Sequence, residues 1–201
     1  MSSKVEVANL ALSHLGIGKE IANIDTEKSE EAAAIRRFYD VALGIVLSDC
    51  PWPFATRIAA LALVASEPNT EWAYSYRYPT DCLYVRRVLS GLRNDTRQSR
   101  APYKIAGDDN GSLLFTDAED AQMEYTTKNV TTQIYPPDFV LVLSYYIAYL
   151  VAPRLTGGDP FKLGDRAFKL YGLQISVARA DAFNEEQAEE DVESEFIRGR
   201  E

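Results

Sequence analysis

Pro51 and Pro53 bracket Trp52, and no other point constrains the possible folds of this chain as strongly. Before them, Ile35, Phe38, Tyr39, Ala42, Ile45 and Val46 follow the i, i+3, i+4, i+7 spacing of a helix with one strongly buried face, ending near Ser48. Neither proline can donate the hydrogen bond that another helical turn requires. Beyond them, from Phe54 to Lys128, helical spacing gives way to short extended runs and turns. The chain is therefore expected to change its kind of structure at Trp52. The prolines act as a hinge, with Trp52 and Phe54 as anchors buried against the helices.

The flanking segments are helical. Ala8, Ala11, Leu12 and Leu15 share a face in Val5 to Leu15, and Gly16 and Gly18 are plausible stops. Asp25 or Ser29 can cap the second helix. After Pro136-Pro137-Asp138 a third helix carries Val142, Tyr145, Tyr146, Tyr149 and Ala152, and Pro153 kinks or ends it. Its apolar run, Phe139 to Ala152, falls short of the ~20 residues of a bilayer span and reads as a buried core helix. Asp159-Pro160 opens a fourth helix with Leu163, Ala167, Leu170, Tyr171, Gln174 and Ala178 on one side.

Between the helical segments, RIAALALV reads as a strand, although alanine and leucine favour helix. YSYRYPTDCLYVRRVL has the tyrosine and valine content of strands. YKIA and SLLFT flank GDDNG, a hairpin turning at Asn110-Gly111. In AQMEYTTK, Met123 and Tyr125 face away from Gln122 and Glu124. From Glu185 the chain carries seven carboxylates with Val192 as the one strong apolar residue, then ends FIRGRE. Such a segment builds no core.

The expected architecture is α+β and mainly α. A four-helix bundle spans 1–50 and 135–184. A small antiparallel β subdomain, 51–134, is inserted between helices two and three, with Trp72 as a further anchor. An extended acidic C-terminal tail, 185–201, ends in a docking tip.

The residues offer little for catalysis. His14 is the only histidine and has no Cys or Asp spaced to form a ligand set or triad, so no metal or cofactor site is expected. Cys50 and Cys82 form no CxxC and read as free, packed thiols. No phosphate-binding glycine loop or nucleophile-elbow motif occurs. Paired carboxylates such as Asp117, Glu119 and Asp120, or Asp81, leave a carboxylate-dependent hydrolase of cell-wall glycan as an alternative, provided two of them are buried in a cleft. Net charge is −9, which argues against gripping nucleic acid by its phosphates. The one basic zone holds Arg77, Arg86, Arg87, Arg93, Arg97 and Arg100. It leaves a small nucleic-acid-binding module as a second alternative, but together with twelve tyrosines it suits a subunit interface better.

Four stretches, in order, resemble one family. They are ANLALSHLGIGKEIANID, followed by RRFYDVAL; DCPWPFATRIAALAL; EWAYSYRYPTDCLYVRRV; and LLFTDAEDAQMEY leading through proline into a long apolar helix, with FIRGR at the end. The set is similar to the head-to-tail adaptor (connector) proteins of tailed bacteriophages, of the tail tubular protein A type found in short-tailed phages. The resemblance implies a structural protein and no enzyme. It implies a homo-oligomeric ring of about twelve subunits under the portal protein, which extends the channel for genomic DNA and docks the next tail component, a nozzle or tail-tube protein. The implied location is the virion at the head–tail junction, with assembly in the host cytoplasm and no membrane. Carried over to this chain, portal docking falls on Phe196, Ile197 and Arg198. The subunit or tail-protein contact falls on Arg86, Arg87 and the loop holding Arg93, Arg97 and Arg100.

Overall fold

The computed structural model describes residues 3–89, 91 and 100–185. Helix α1, Lys4–His14, opens on a capping box: Ser3 Oγ accepts from Glu6 N while Glu6 accepts from Ser3 N. Helix α2, Glu30–Asp49, is capped by Ser29 and buries Ala32, Ala34, Ile35, Tyr39, Ala42, Val46 and Leu47. Helix α3 is Pro137–Leu155 and α4 is Leu163–Glu185. Asp159 takes the N–H groups of Leu163 and Gly164 at 2.7 and 2.8 Å, so α4 begins later than Asp159-Pro160 alone implies. Helix α3 runs through Pro153 for two more residues.

The four helices do not form a bundle. Helix α3 is the hub, and α1, α2 and α4 each pack against it, while the other helix pairs make little backbone contact. The reason lies in its composition: α3 is apolar nearly all round and can offer a face to each neighbour. By length and mean hydropathy (1.4) it matches a membrane span, but Phe139, Val142, Leu143, Ile147, Ala148, Val151 and Ala152 are buried among the other helices. Side chains supply the α4–α2 link. The Tyr171 hydroxyl donates to the Asp49 carboxylate, and Arg179 Nε donates to the Asp49 carbonyl at 3.0 Å.

The β part is no small appendage either. Among the described residues, seven strands run between α2 and α3: β1 (Thr56–Ala60), β2 (Ala62–Ser66), β3 (Tyr74–Arg77), β4 (Cys82–Leu89), β5 (Tyr103–Asp108), β6 (Gly111–Thr116) and β7 (Gln122–Thr127). They form two antiparallel sheets, sheet A in the order β1-β7-β4 and sheet B in the order β2-β3-β6-β5. Leu61, Tyr76, Val85, Val88, Leu114, Ala121, Met123 and Tyr125 make a second core, separate from the helical one. The architecture is thus a mixed α/β fold, which corrects the expected four-helix bundle with a small β insert. The expectation erred because strands this short have weak individual patterns, and their sum is visible only once they pair.

Three strand details differ from the sequence reading. RIAALALV is two strands in two sheets, parted by buried Leu61, whose N–H donates to the Ala121 carbonyl at 3.0 Å. The hairpin pairs Asp108 with Gly111, so the turn is Asp109-Asn110 and Gly111, at φ 128°, starts β6. In β7, Glu124 and Thr126 are buried as well as Met123 and Tyr125, because β7 is the central strand of sheet A.

Candidate assembly surfaces

The residues singled out in the sequence divide into those the fold absorbs and those left at the surface. Trp52 is 2% exposed, its ring edge-on to Phe139 at 4.9 Å and its Nε1 donating to the Val46 carbonyl at 2.9 Å. The bond closes the end of α2, whose last carbonyls have no helical partner of their own. Half-buried Phe54 lies edge-on to the same Phe139 at 4.9 Å and 5.7 Å from Tyr135. Trp72 belongs elsewhere. It lies half-buried in the β2–β3 connection, its backbone N–H and that of Glu71 donating to Asn69 Oδ1, beside Glu67 and Asp117.

Arg86 points into the fold. Its Nε donates to Thr126 Oγ1 at 2.8 Å, and its Nη2 donates to the carbonyls of Leu47 and Cys50 at 2.9 and 2.7 Å. The guanidinium also lies over the Tyr84 ring at 4.7 Å. It therefore straps sheet A to the end of α2, satisfying carbonyls the helix terminus leaves free. Arg87 pairs with Glu124 at 2.7 Å, neutralising the one buried carboxylate of β7. Arg77 makes a two-pronged pair with Asp108, at 2.7 Å on each prong. Arg100 is exposed. Arg93 and Arg97 lie outside the described residues, as do Phe196, Ile197 and Arg198.

Reactive chemistry is scarce. His14 Nε2 is 3.0 Å from Ser144 Oγ, and its ring stacks on Tyr145 at 4.2 Å. The Ser144 hydroxyl donates to the Leu141 carbonyl at 2.8 Å, so it accepts from a protonated Nε2. That polarity is the reverse of a base drawing a proton from a nucleophile. Burial lowers the His14 pKa and pushes both thiols, Cys50 and Cys82, up to about 11, which keeps them protonated and unreactive. Asp117, Glu119 and Asp120 are exposed. Asp81 accepts hydroxyl hydrogen bonds from Thr127 at 2.7 Å and Tyr125 at 3.1 Å, and these, Thr127 first, hold its carboxyl below the usual range. An acid catalyst needs the opposite shift. Among the described residues no group of His, Cys, Asp and Glu could hold a metal ion. By sequence comparison the chain matches no protein-family model and no curated protein.

What the surface does carry is large apolar side chains. Val41 and Ile45 stand exposed on α2, beside half-buried Leu83 of β4. Leu173 and Val177, four residues apart, stand on the outer face of α4, while partly exposed Phe168 lies on another side of the helix against Tyr149 of α3. On the sheets, Ile58 of β1, Leu63 and Val64 of β2 and Ile105 of β5 are exposed. Periodicity assigns such residues to one face or the other. It does not reveal that a strand lies at an edge, where its inward face is only partly covered. The arrangement suits binding of other chains on several sides at once.

Proposed function

We propose that this protein is a structural adaptor at the head-to-tail junction of a tailed bacteriophage, assembled as a ring beneath the portal protein. The observation that carries the reading is that exposed large apolar side chains stand in neighbouring positions, Val41 with Ile45 on α2 and Leu173 with Val177 on α4, with more on both sheets, and so offer contact surfaces on several sides. A subunit held between a portal, a tail component and two neighbours needs contact surfaces of this kind. The ordered resemblance of four sequence stretches to the adaptor family names the assembly. The net charge of −9 fits a channel wall that DNA passes without adhering. In this role the segment after α4 reaches the portal, with Phe196 and Ile197 as apolar anchors and Arg198 pairing with a carboxylate.

Electron microscopy of the protein mixed with portal protein tests the reading. The expected image is a second ring stacked coaxially on the portal ring. Portal rings that remain bare at saturating adaptor concentration overturn it.

A further inference from the structure

Among the described residues, sheet B has two open edges, β2 and β5. One register row crosses all four strands: Leu63 lies opposite Tyr76, Tyr76 opposite Leu114, and Leu114 opposite Ile105. Side chains directly opposite one another share a face of the sheet. The inner two are buried in the second core, Tyr76 at 2% and Leu114 at 0% exposure. The outer two, Leu63 and Ile105, are each 54% exposed. The apolar row runs out past both edges.

Edge strands are ordinarily guarded by charge or proline. From Ile58 to Ala65 the sequence is IAALALVA, with neither. On β5 the one lysine, Lys104, is drawn to Glu71 at 3.1 Å. Pro68 and Pro102 at the strand ends, Asp108 on β5 and the irregularity between Leu63 and Ala65 confine further pairing to the stretch around Leu63 on β2 and around Ile105 on β5.

Strand direction and charge select which edge meets which. Pairing is antiparallel at every step from β2 to β5, so β2 and β5 run in opposite directions. A second copy that simply continues the sheet brings its β5 antiparallel to β2, with the Ser66 end of β2 beside the start of the incoming β5 at Tyr103. The Ser66 end is acidic. Glu67 follows Ser66 directly, the Ala73 N–H beside it is held by Asp117 Oδ1 at 2.9 Å, and Glu67, Glu71 and Asp117 line one open hollow; the same negative field, Glu119 foremost, holds the Tyr74 hydroxyl above its ordinary range. The start of β5 follows Arg100, whose charge acts on Tyr103 against the burial that raises it. Joining unlike edges brings acidic and basic ends together; joining like edges leaves them apart.

We infer that copies of this chain join edge to edge through sheet B, β2 of one against β5 of the next, so that Leu63 meets the neighbour's Ile105 and completes the apolar row. The contact is heterologous, so it propagates into a closed ring or an open filament and not into a two-fold dimer. It rests on the ring reading above for its setting but is measured apart from it.

Sedimentation over a rising concentration series is the test, on the full chain as wild type, Leu63→Lys, Ile105→Lys and an equimolar mixture of the two variants. The wild type is expected to form species larger than a dimer. Each variant is expected to self-associate roughly tenfold or more weakly, from a charge set into an apolar strand pair. The mixture keeps one intact β2 edge and one intact β5 edge, so it is expected to form a dimer and stop there. Should a lysine variant lose its thermal transition, Leu63→Thr and Ile105→Thr, which suit exposed strands, are read in the same way. A wild type monomeric at every concentration, a variant that assembles like wild type, or a mixture no better than its components overturns the contact. Portal binding is not read in this experiment, so its failure and that of the adaptor reading are separable.

Discussion

Replacing Trp52 by alanine removes a 2%-exposed indole, its edge contact with Phe139 and its hydrogen bond to Val46. The expected loss is about 3–5 kcal/mol, read as a lower urea midpoint with an unchanged slope. An unaltered midpoint refutes the anchoring role. The burial of this residue was legible beforehand, because a tryptophan between two prolines at a helix end has few directions to point except inward. Arg86 was not legible in the same way. Its acceptors, the Leu47 and Cys50 carbonyls, lie far back along the chain, and a basic zone in the sequence does not distinguish an arginine that faces outward from one spent on a helix terminus. Leu63 and Ile105 were hidden for another reason: their exposure follows from strand order, which no local pattern encodes.

Among the elements, the helices were the more legible. The spacing that groups Ala167, Tyr171 and Ala178 describes the side of α4 that is buried, because a 3.6-residue period over many turns leaves one consistent solution. The sheets were less so, since β1 and β2 are continuous in sequence yet belong to different sheets. The packing of α1 on α3 offers a titratable handle, His14 against Ser144 and Tyr145. Burial sets the folded-state pKa of His14 below the unfolded value of about 6.5, so below that pH the unfolded chain takes up the proton first. The stability from this site is complete above about pH 6.5 and is lost as pH falls through the folded-state value. His14→Gln is expected to flatten the difference in urea midpoint between about pH 7.5 and pH 5.5 relative to wild type. An equal difference in both proteins removes His14 as the cause.

For the whole molecule, the adaptor reading separates folding from docking. Among the described residues, both cores are built from positions that precede the end of α4. Deleting Glu185 to Glu201 is therefore expected to leave the thermal transition in place while portal binding is lost, as measured by co-sedimentation. Normal portal binding by the shortened protein overturns the docking role of Phe196, Ile197 and Arg198. The backbone from Trp52 to Ser66 has a mechanical consequence as well. It leaves the helical core, forms one border of sheet A, and with only Leu61 between forms one border of sheet B. Between the indole and the far sheet the backbone is therefore one short 3-10 turn and two strands parted by a single residue, so the tether that joins the two cores along this path has almost no freedom of its own.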